Sequence, residues 1–284
     1  MMINYGYIVI KEISLNSIEN KLFIKKNFDG ESRFAEVVSV NDNSIFNVGD
    51  IIQHDKAIML FKAESLGEGK FYILERDIHS KLVGDDIISI RDSVYVKAEK
   101  ESKHTLSFKN FKFNIDSEFN PFDDDIVTRC GVVVAAPLEA INSYTDEVLD
   151  IELEPGDVVY THHFLTHDDN EAVINGEKVY QIRYEDCYCR VRDGKIKMLN
   201  EWNLIEPIKE KEEDFRIGRV ITKVDLSHDS SKGVLKNICS KMKNLGVKIN
   251  DTIYFKKNRD YFITVGDKKY FRVNTRDIVA TKLN

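Results

Sequence analysis

One phrase recurs three times along this chain, and that recurrence limits its fold more than any other feature. The copies are Gly69–Ile78, Lys178–Cys187 and Lys269–Ile278, each closing on an acid: Asp77, Asp186 or Asp277. Six residues before the acid stands an aromatic (Phe71, Tyr180, Phe271), and four before it an aliphatic (Ile73, Ile182, Val273). That is one face of a strand followed by a turn. The acids lie 109 and 91 residues apart. Such a period is too long for a solenoid and fits tandem small domains.

Three further anchors keep the same order around each copy. Upstream lies a corner with an acid: Val48-Gly49-Asp50-Ile51-Ile52, Pro155-Gly156-Asp157-Val158-Val159 and Ile249-Asn250-Asp251-Thr252-Ile253. Gly and Asn tolerate the positive φ of a tight turn, and the β-branched residues after them favour a strand. Before the corner comes a β-rich run: Ala35–Val40, Gly131–Ala136 and Gly218–Val224. Each unit opens on an apolar strand, namely Tyr7–Ile10, Val94–Val96 and Asn203–Ile205. The expected architecture is all-β: three tandem small irregular antiparallel barrels over residues 1–90, 91–199 and 200–284. One short helix is predicted within Lys232–Leu245, where Val234, Leu235, Ile238, Met242 and Leu245 fall near helical spacing.

Composition narrows the function classes. An apolar content of 42% in 284 residues supports ordinary cores. The net charge of −7 is mixed in sign, with no basic stripe interleaved with aromatics, so nucleic acid is not an expected partner. No apolar window is long enough for a membrane helix and no signal peptide is visible, so a soluble chain in the cytoplasm or in a virion is expected. Four cysteines do not make a disulfide framework. Cys187 and Cys189 with His162, His163 and His167 are weak metal candidates, because Cys-x-Cys is not the usual zinc spacing; packing and surface roles are the simpler reading.

No nucleotide-binding glycine motif, nucleophile elbow or zinc-protease motif is present, so no catalytic residue is assigned and no cofactor is expected. Acidic runs such as Asp123–Asp125 and Glu210–Asp214 read as solvated loops. The recurring Asp77, Asp186 and Asp277 read as turn-capping residues rather than catalytic acids.

With its anchors in this order, each unit resembles the chaperonin-10 family, the GroES-like co-chaperonins. The first unit carries the fullest pattern, from Tyr7–Lys11 through Arg33–Val38 and Val48–Ile52 to Asp77-Ile78; the third closes on Arg276–Ala280. The resemblance implies irregular barrels that join into rings, first strand of one against last strand of the next. It also implies a mobile loop whose apolar tripeptide docks on a partner chaperonin. Leu22, Phe23 and Ile24 occupy that position, flanked by Asn20-Lys21 and Lys25-Lys26 and without the family's glycine pair; a barrel strand is the alternative. In the second unit the corresponding loop carries Phe108, Phe111, Phe113, Phe119 and Phe122, either interface anchors or an extra hairpin. The third loop, Lys209–Phe215, reads as short and charged.

The expected function is non-enzymatic docking and assembly. Copies of the chain would build or cap a ring, with a chaperonin or virion proteins as the larger partner. The alternative is a structural ring or shell component of a phage particle, since a sevenfold ring cannot be tiled by chains of three equivalent barrels. GroES-like barrels also occur in zinc-dependent alcohol dehydrogenases, beside a dinucleotide domain that has no counterpart in this sequence.

Overall fold

A computed structural model describes residues 6–13, 34–54, 63–84, 86–99, 105–108, 111–114, 129–143, 146–162, 165–166, 171–174, 177–208, 214–217, 220–223, 231–259 and 261–282. The chain falls into two compact units: Met1–Glu101 with Cys130–Asp157 and Phe164–Asp186, and Ser102–Arg129 with Val158–His163 and Cys187–Asn284.

In chain order the strands are β1 (Tyr7–Glu12), β2 (Phe34–Ser39), β3 (Ile51–His54), β4 (Glu64–Gly67), β5 (Lys70–Leu74), β6 (Ile78–Val83), β7 (Asp86–Ser89) and β8 (Ser93–Ala98). There follow β9 (Thr105–Phe108), β10 (Phe111–Asn114), β11 (Cys130–Ala135), β12 (Ala140–Ile141), β13 (Val148–Leu149), β14 (Val158–Tyr160), β15 (Glu171–Ile174), β16 (Glu177–Arg183), β17 (Cys189–Arg192) and β18 (Lys195–Met198). The last are β19 (Trp202–Pro207), β20 (Asp214–Ile217), β21 (Val220–Lys223), β22 (Lys232–Asn237), β23 (Thr252–Phe255), β24 (Tyr261–Val265), β25 (Lys268–Asn274) and β26 (Ile278–Lys282), with one short helix, α1 (Ser240–Asn244), before β23.

The first unit contains a seven-stranded sheet in the order β4-β5-β1-β2-β3-β6-β7, the run β15-β16-β8-β11, and the hairpin β12-β13. The second contains β14-β17-β18, the hairpins β9-β10 and β20-β21, and a six-stranded sheet in the order β24-β25-β19-β22-β23-β26. Read by position, β4-β5-β1-β2-β3-β6 and β24-β25-β19-β22-β23-β26 share one topology. The middle stretch of chain repeats its first four places in the first unit and its last two in the second.

Alternation along the strands sends aliphatics inward. Ile8, Ile10, Val37, Ile52, Ile73 and Ile78 form one core of the first unit, and Leu204, Ile205, Leu235, Ile253, Phe271 and Val273 form the core of the second. Hydrogen bonds recur with the strands. Gly49, Gly156 and Asn250, at φ of 92°, 93° and 73°, donate N–H to the carbonyls of Val37, Val133 and Leu235, each at 2.8 Å. In return the amides of Val37, Val133 and Leu235 donate to the carbonyls of Asp50, Asp157 and Asp251. Each 3-10 turn (Glu75–Asp77, Tyr184–Asp186, Thr275–Asp277) opens with an amide donating to the residue just before the unit's first strand: Gly6, Asp92 or Glu201.

The structure departs from the sequence reading in five places. Asp50, Asp157 and Asp251 cap the corners, each accepting the amide three residues earlier (Asn47, Glu154, Lys248) at 3.0, 2.9 and 2.8 Å. Asp277, expected to cap, instead pairs with Lys256 and Arg259, and Asn274 accepts the turn amide of Arg276. The helix expected over Lys232–Leu245 is half strand: Lys232–Asn237 forms β22, and only Ser240–Asn244 is helical. Gly233 decides this locally, since a Cβ there would lie 2.3 Å from Ile205 Cγ2, so β22 presses against β19 as a strand.

It follows that Val220–Lys223 is not the third copy of the β-rich anchor but half of a separate hairpin. The third loop spans 208–231 and is not short. Lastly, of the expected irregular antiparallel barrels the described residues show antiparallel sheets without a closing strand pair, running β4 to β7 and β24 to β26. β4 is exposed along its whole length and presents no apolar stripe with which to close.

Candidate assembly surfaces

In the first unit, a set of polar side chains is buried where β3 and β6 meet β8 and β16. Gln53, one residue past the apolar Ile51-Ile52 pair of β3, is 1% exposed and Tyr95 on β8 fully buried. The Tyr95 hydroxyl lies 2.5 Å from Gln53 Oε1 and 2.9 Å from Ser80 Oγ, donating its one proton to one of them, and the Ser80 hydroxyl reaches the same Gln53 Oε1 at 3.2 Å. Gln53 Nε2 donates to Gln181 Oε1 at 2.8 Å, and Gln181 Nε2 donates to Ser93 Oγ at 2.9 Å. Burying amides without partners is expensive, so this chain of bonds fixes how the strands meet.

The second unit has the counterpart. Register places Tyr72, Gln181 and Arg272 at one position, opposite Val9, Tyr95 and Leu204. Arg272 is buried, and its guanidinium lies 4.3 Å from the ring centre of Tyr188 and 5.1 Å from those of Trp202 and Tyr261. Tyr188 and Trp202 meet edge to face at 4.7 Å. A weakly hydrated, planar guanidinium suits such an aromatic surround. The Tyr160 hydroxyl accepts the Gly266 amide at 3.2 Å, and Arg129 donates to the Phe262 carbonyl at 3.2 Å. Burial first, then the charges of Arg272 and Arg129, lower the His162 pKa to about 4. The imidazole is therefore neutral at neutral pH.

Strand edges differ in the same systematic way. β6 is covered by β7 through Ser80↔Ser89, Lys81↔Ile88 and Leu82↔Ile87. β17 is covered by β18 through Cys189↔Met198, Arg190↔Lys197 and Val191↔Ile196. Among the described residues β26 pairs only with β23. Ser80 and Cys189 are buried, whereas Ala280 at the same place is exposed.

Of the sequence candidates, Leu22, Phe23, Ile24, Phe119, Phe122, His163 and His167 lie outside the described residues. Phe108 closes β9 and Phe111 opens β10; they are register partners, with Phe113 opposite Leu106, so this segment contains a hairpin. Cys187 and Cys189 are fully buried, Cys189 in the apolar core of the second unit. Among the described residues no three His, Cys, Asp or Glu side chains cluster as a metal site.

Sequence reasoning did not find the Gln53–Tyr95–Gln181 set or the Arg272 stack. The usable signal is a variable column inside the recurring phrase, where Tyr72, Gln181 and Arg272 stand between a shared aromatic and a shared aliphatic.

Residues 195–282 match the family described as Chaperonin 10 Kd subunit. The matched span begins at Lys195, the first residue of β18, and ends at the last residue of β26, so it takes in the whole six-stranded sheet. A search of curated proteins finds no match to the chain.

Proposed function

We propose that the chain is a non-enzymatic assembly protein with a co-chaperonin-like role, whose copies join through strand edges and which docks a larger protein ring or shell through its long loops. The matched span supports a GroES-like β domain at residues 195–282, and the two further copies of its topology support three such domains in tandem. The observation that carries the reading is the covering of β6 by β7 and of β17 by β18, against β26 with no outer neighbour among the described residues. By sequence position, Met1–Ile3 stands to β1 as Ile87–Ser89 stands to β8 and Ile196–Met198 to β19. On this reading an extended segment of a second copy pairs along the edge of β26 that has no neighbour among the described residues, a β-augmentation in which main-chain bonds give affinity.

The docking elements in this proposal are Leu22, Phe23 and Ile24 and the phenylalanines from Phe108 to Phe122. The test is the mass and symmetry of the full-length chain by native mass spectrometry, alone and mixed with a double-ring chaperonin. A discrete multi-copy species is expected, binding the chaperonin and losing it in the triple variant Leu22→Ser/Phe23→Ser/Ile24→Ser. A monomer that binds no chaperonin overturns the reading. A sixfold or twelvefold form confined to a particle moves the role to that of a shell component.

A further inference from the structure

The two junctions inside the chain have different side-chain chemistry, and the positions that build them recur, unburied, on the outermost sheets. At the first junction the decisive contact joins the residue three places after the corner acid, Gln53, to the variable residue of the recurring phrase, Gln181, at 2.8 Å. At the second, the variable residue is Arg272, packed on Tyr188 and Trp202. The corresponding residues that neither junction uses are Tyr254 on β23 and Val279 on β26, and Tyr72 on β5 with Tyr7 on β1. Their exposures are 41%, 68%, 40% and 64%, against 1% for Gln53 and 2% for Tyr188. Tyr7 and Tyr72 already meet edge to face at 6.5 Å.

We infer that these four residues are the specificity determinants of a head-to-tail joint between two copies of this chain, with Tyr254 of one copy against Tyr72 of the next and Val279 against Tyr7 and Tyr72. This rests on the proposed self-assembly and adds the side chains that set its order. The pairing follows from equivalent positions in the recurring units. Tyr254 holds the place of Gln53, which contacts the Tyr72 equivalent; Val279 holds the place of Tyr188, which contacts the equivalents of both Tyr7 and Tyr72. The chemistry is also self-consistent. All four are apolar or aromatic, so their joint leaves no charge unpaired, and tyrosine is favoured at interface centres.

Mismatched pairings are disfavoured on the same grounds. The Gln53–Gln181 junction needs amides to answer amides, and the Arg272 junction needs aromatic faces for a cation. Offering Tyr254 to Gln181, or Gln53 to Tyr72, replaces an amide–amide pair by a hydroxyl–amide pair, which satisfies fewer of the amide's donors and acceptors. Three joints with three chemistries thus specify one order of domains along an assembly, where identical joints would permit register slips.

Complementation tests this directly, using full-length chains and sedimentation velocity. Tyr72→Lys removes the ring that Tyr254 and Val279 both meet and sets an ammonium against Val279, and Tyr254→Asp sets a carboxylate against the face of the Tyr72 ring; each alone should weaken self-association about tenfold or more. Mixed in equal amounts they should recover assembly, because the carboxylate introduced on β23 of one variant meets the ammonium introduced on β5 of the other, while the remaining joint is wild type. Both positions are well exposed, and recovery on mixing shows that the variants are folded. If the wild type assembles and either single variant does so equally well, the assignment falls while self-assembly stands. Single variants that weaken without recovery on mixing also overturn the pairing. A wild type that stays monomeric overturns both.

Discussion

Arg272 and Gln181 hold one position in the recurring phrase, yet they stabilise their surroundings by unlike means, a cation over aromatic rings and an amide in a hydrogen-bonded chain. The variation is confined to the side chain, since the register around each residue is the same. His162 adds a pH dependence to the Arg272 site. Its pKa is lowered from 6.5 to about 4, so between those values the unfolded chain binds a proton that the folded chain does not, and stability falls as pH drops through that window. Half-exposed surroundings screen part of this effect. The expectation is that wild-type protein loses more thermal stability than His162→Gln between about pH 7 and pH 4.5, and that the two run parallel below about pH 4. Calorimetric midpoints over that range check it; parallel curves throughout would count against the assignment.

At the scale of elements, the corner carries more of the fold than the recurring phrase does. Asp157 and Asp251 are buried while Asp50 is half-exposed and also pairs with Lys81 at 3.2 Å. Removing a buried acceptor leaves the Glu154 or Lys248 amide without its bond, so Asp157→Ala and Asp251→Ala should each cost about 1–2 kcal/mol in urea unfolding. Asp50→Ala should cost less than about 1 kcal/mol, because water can replace the carboxylate.

The opening strands, the corners and the closing strands are legible in sequence because their signals are local: β-branched runs and a residue tolerant of positive φ. The third β-rich anchor is not. Lys232–Asn237 carries a glycine and two lysines, and its strand state is set by contact with Ile205 and Glu206, far away in sequence. Local spacing therefore favours a helix there, and Val220–Lys223, richer in β-branched residues, is the better local match to the anchor. The buried amides escape for the same reason, since a glutamine on a strand looks solvent-facing until its partner 128 residues away is known.

For the molecule as a whole, the proposed self-association through the outer sheets would make stability depend on protein concentration, because assembly stabilises only the folded chain. A tenfold increase in concentration should raise the midpoint of wild-type unfolding in differential scanning calorimetry and raise that of Tyr254→Asp by less. A concentration-independent wild type would contradict the assembly reading. The topology that recurs three times is visible in the order of the anchors, whereas the difference between covered and uncovered strand edges is not, since β7 and β18 are short strands of weak periodicity.

β26, which has no outer neighbour among the described residues, also bears on which conditions endanger the protein. An edge strand with exposed Val279 and Ala280 adheres to any extended segment it meets, and Lys282 is the only charge along it to discourage that. In the proposed assembly this edge would be occupied by a second copy, and dilution below the joint's dissociation constant would free it, so on that reading storage at low concentration is the harsher treatment.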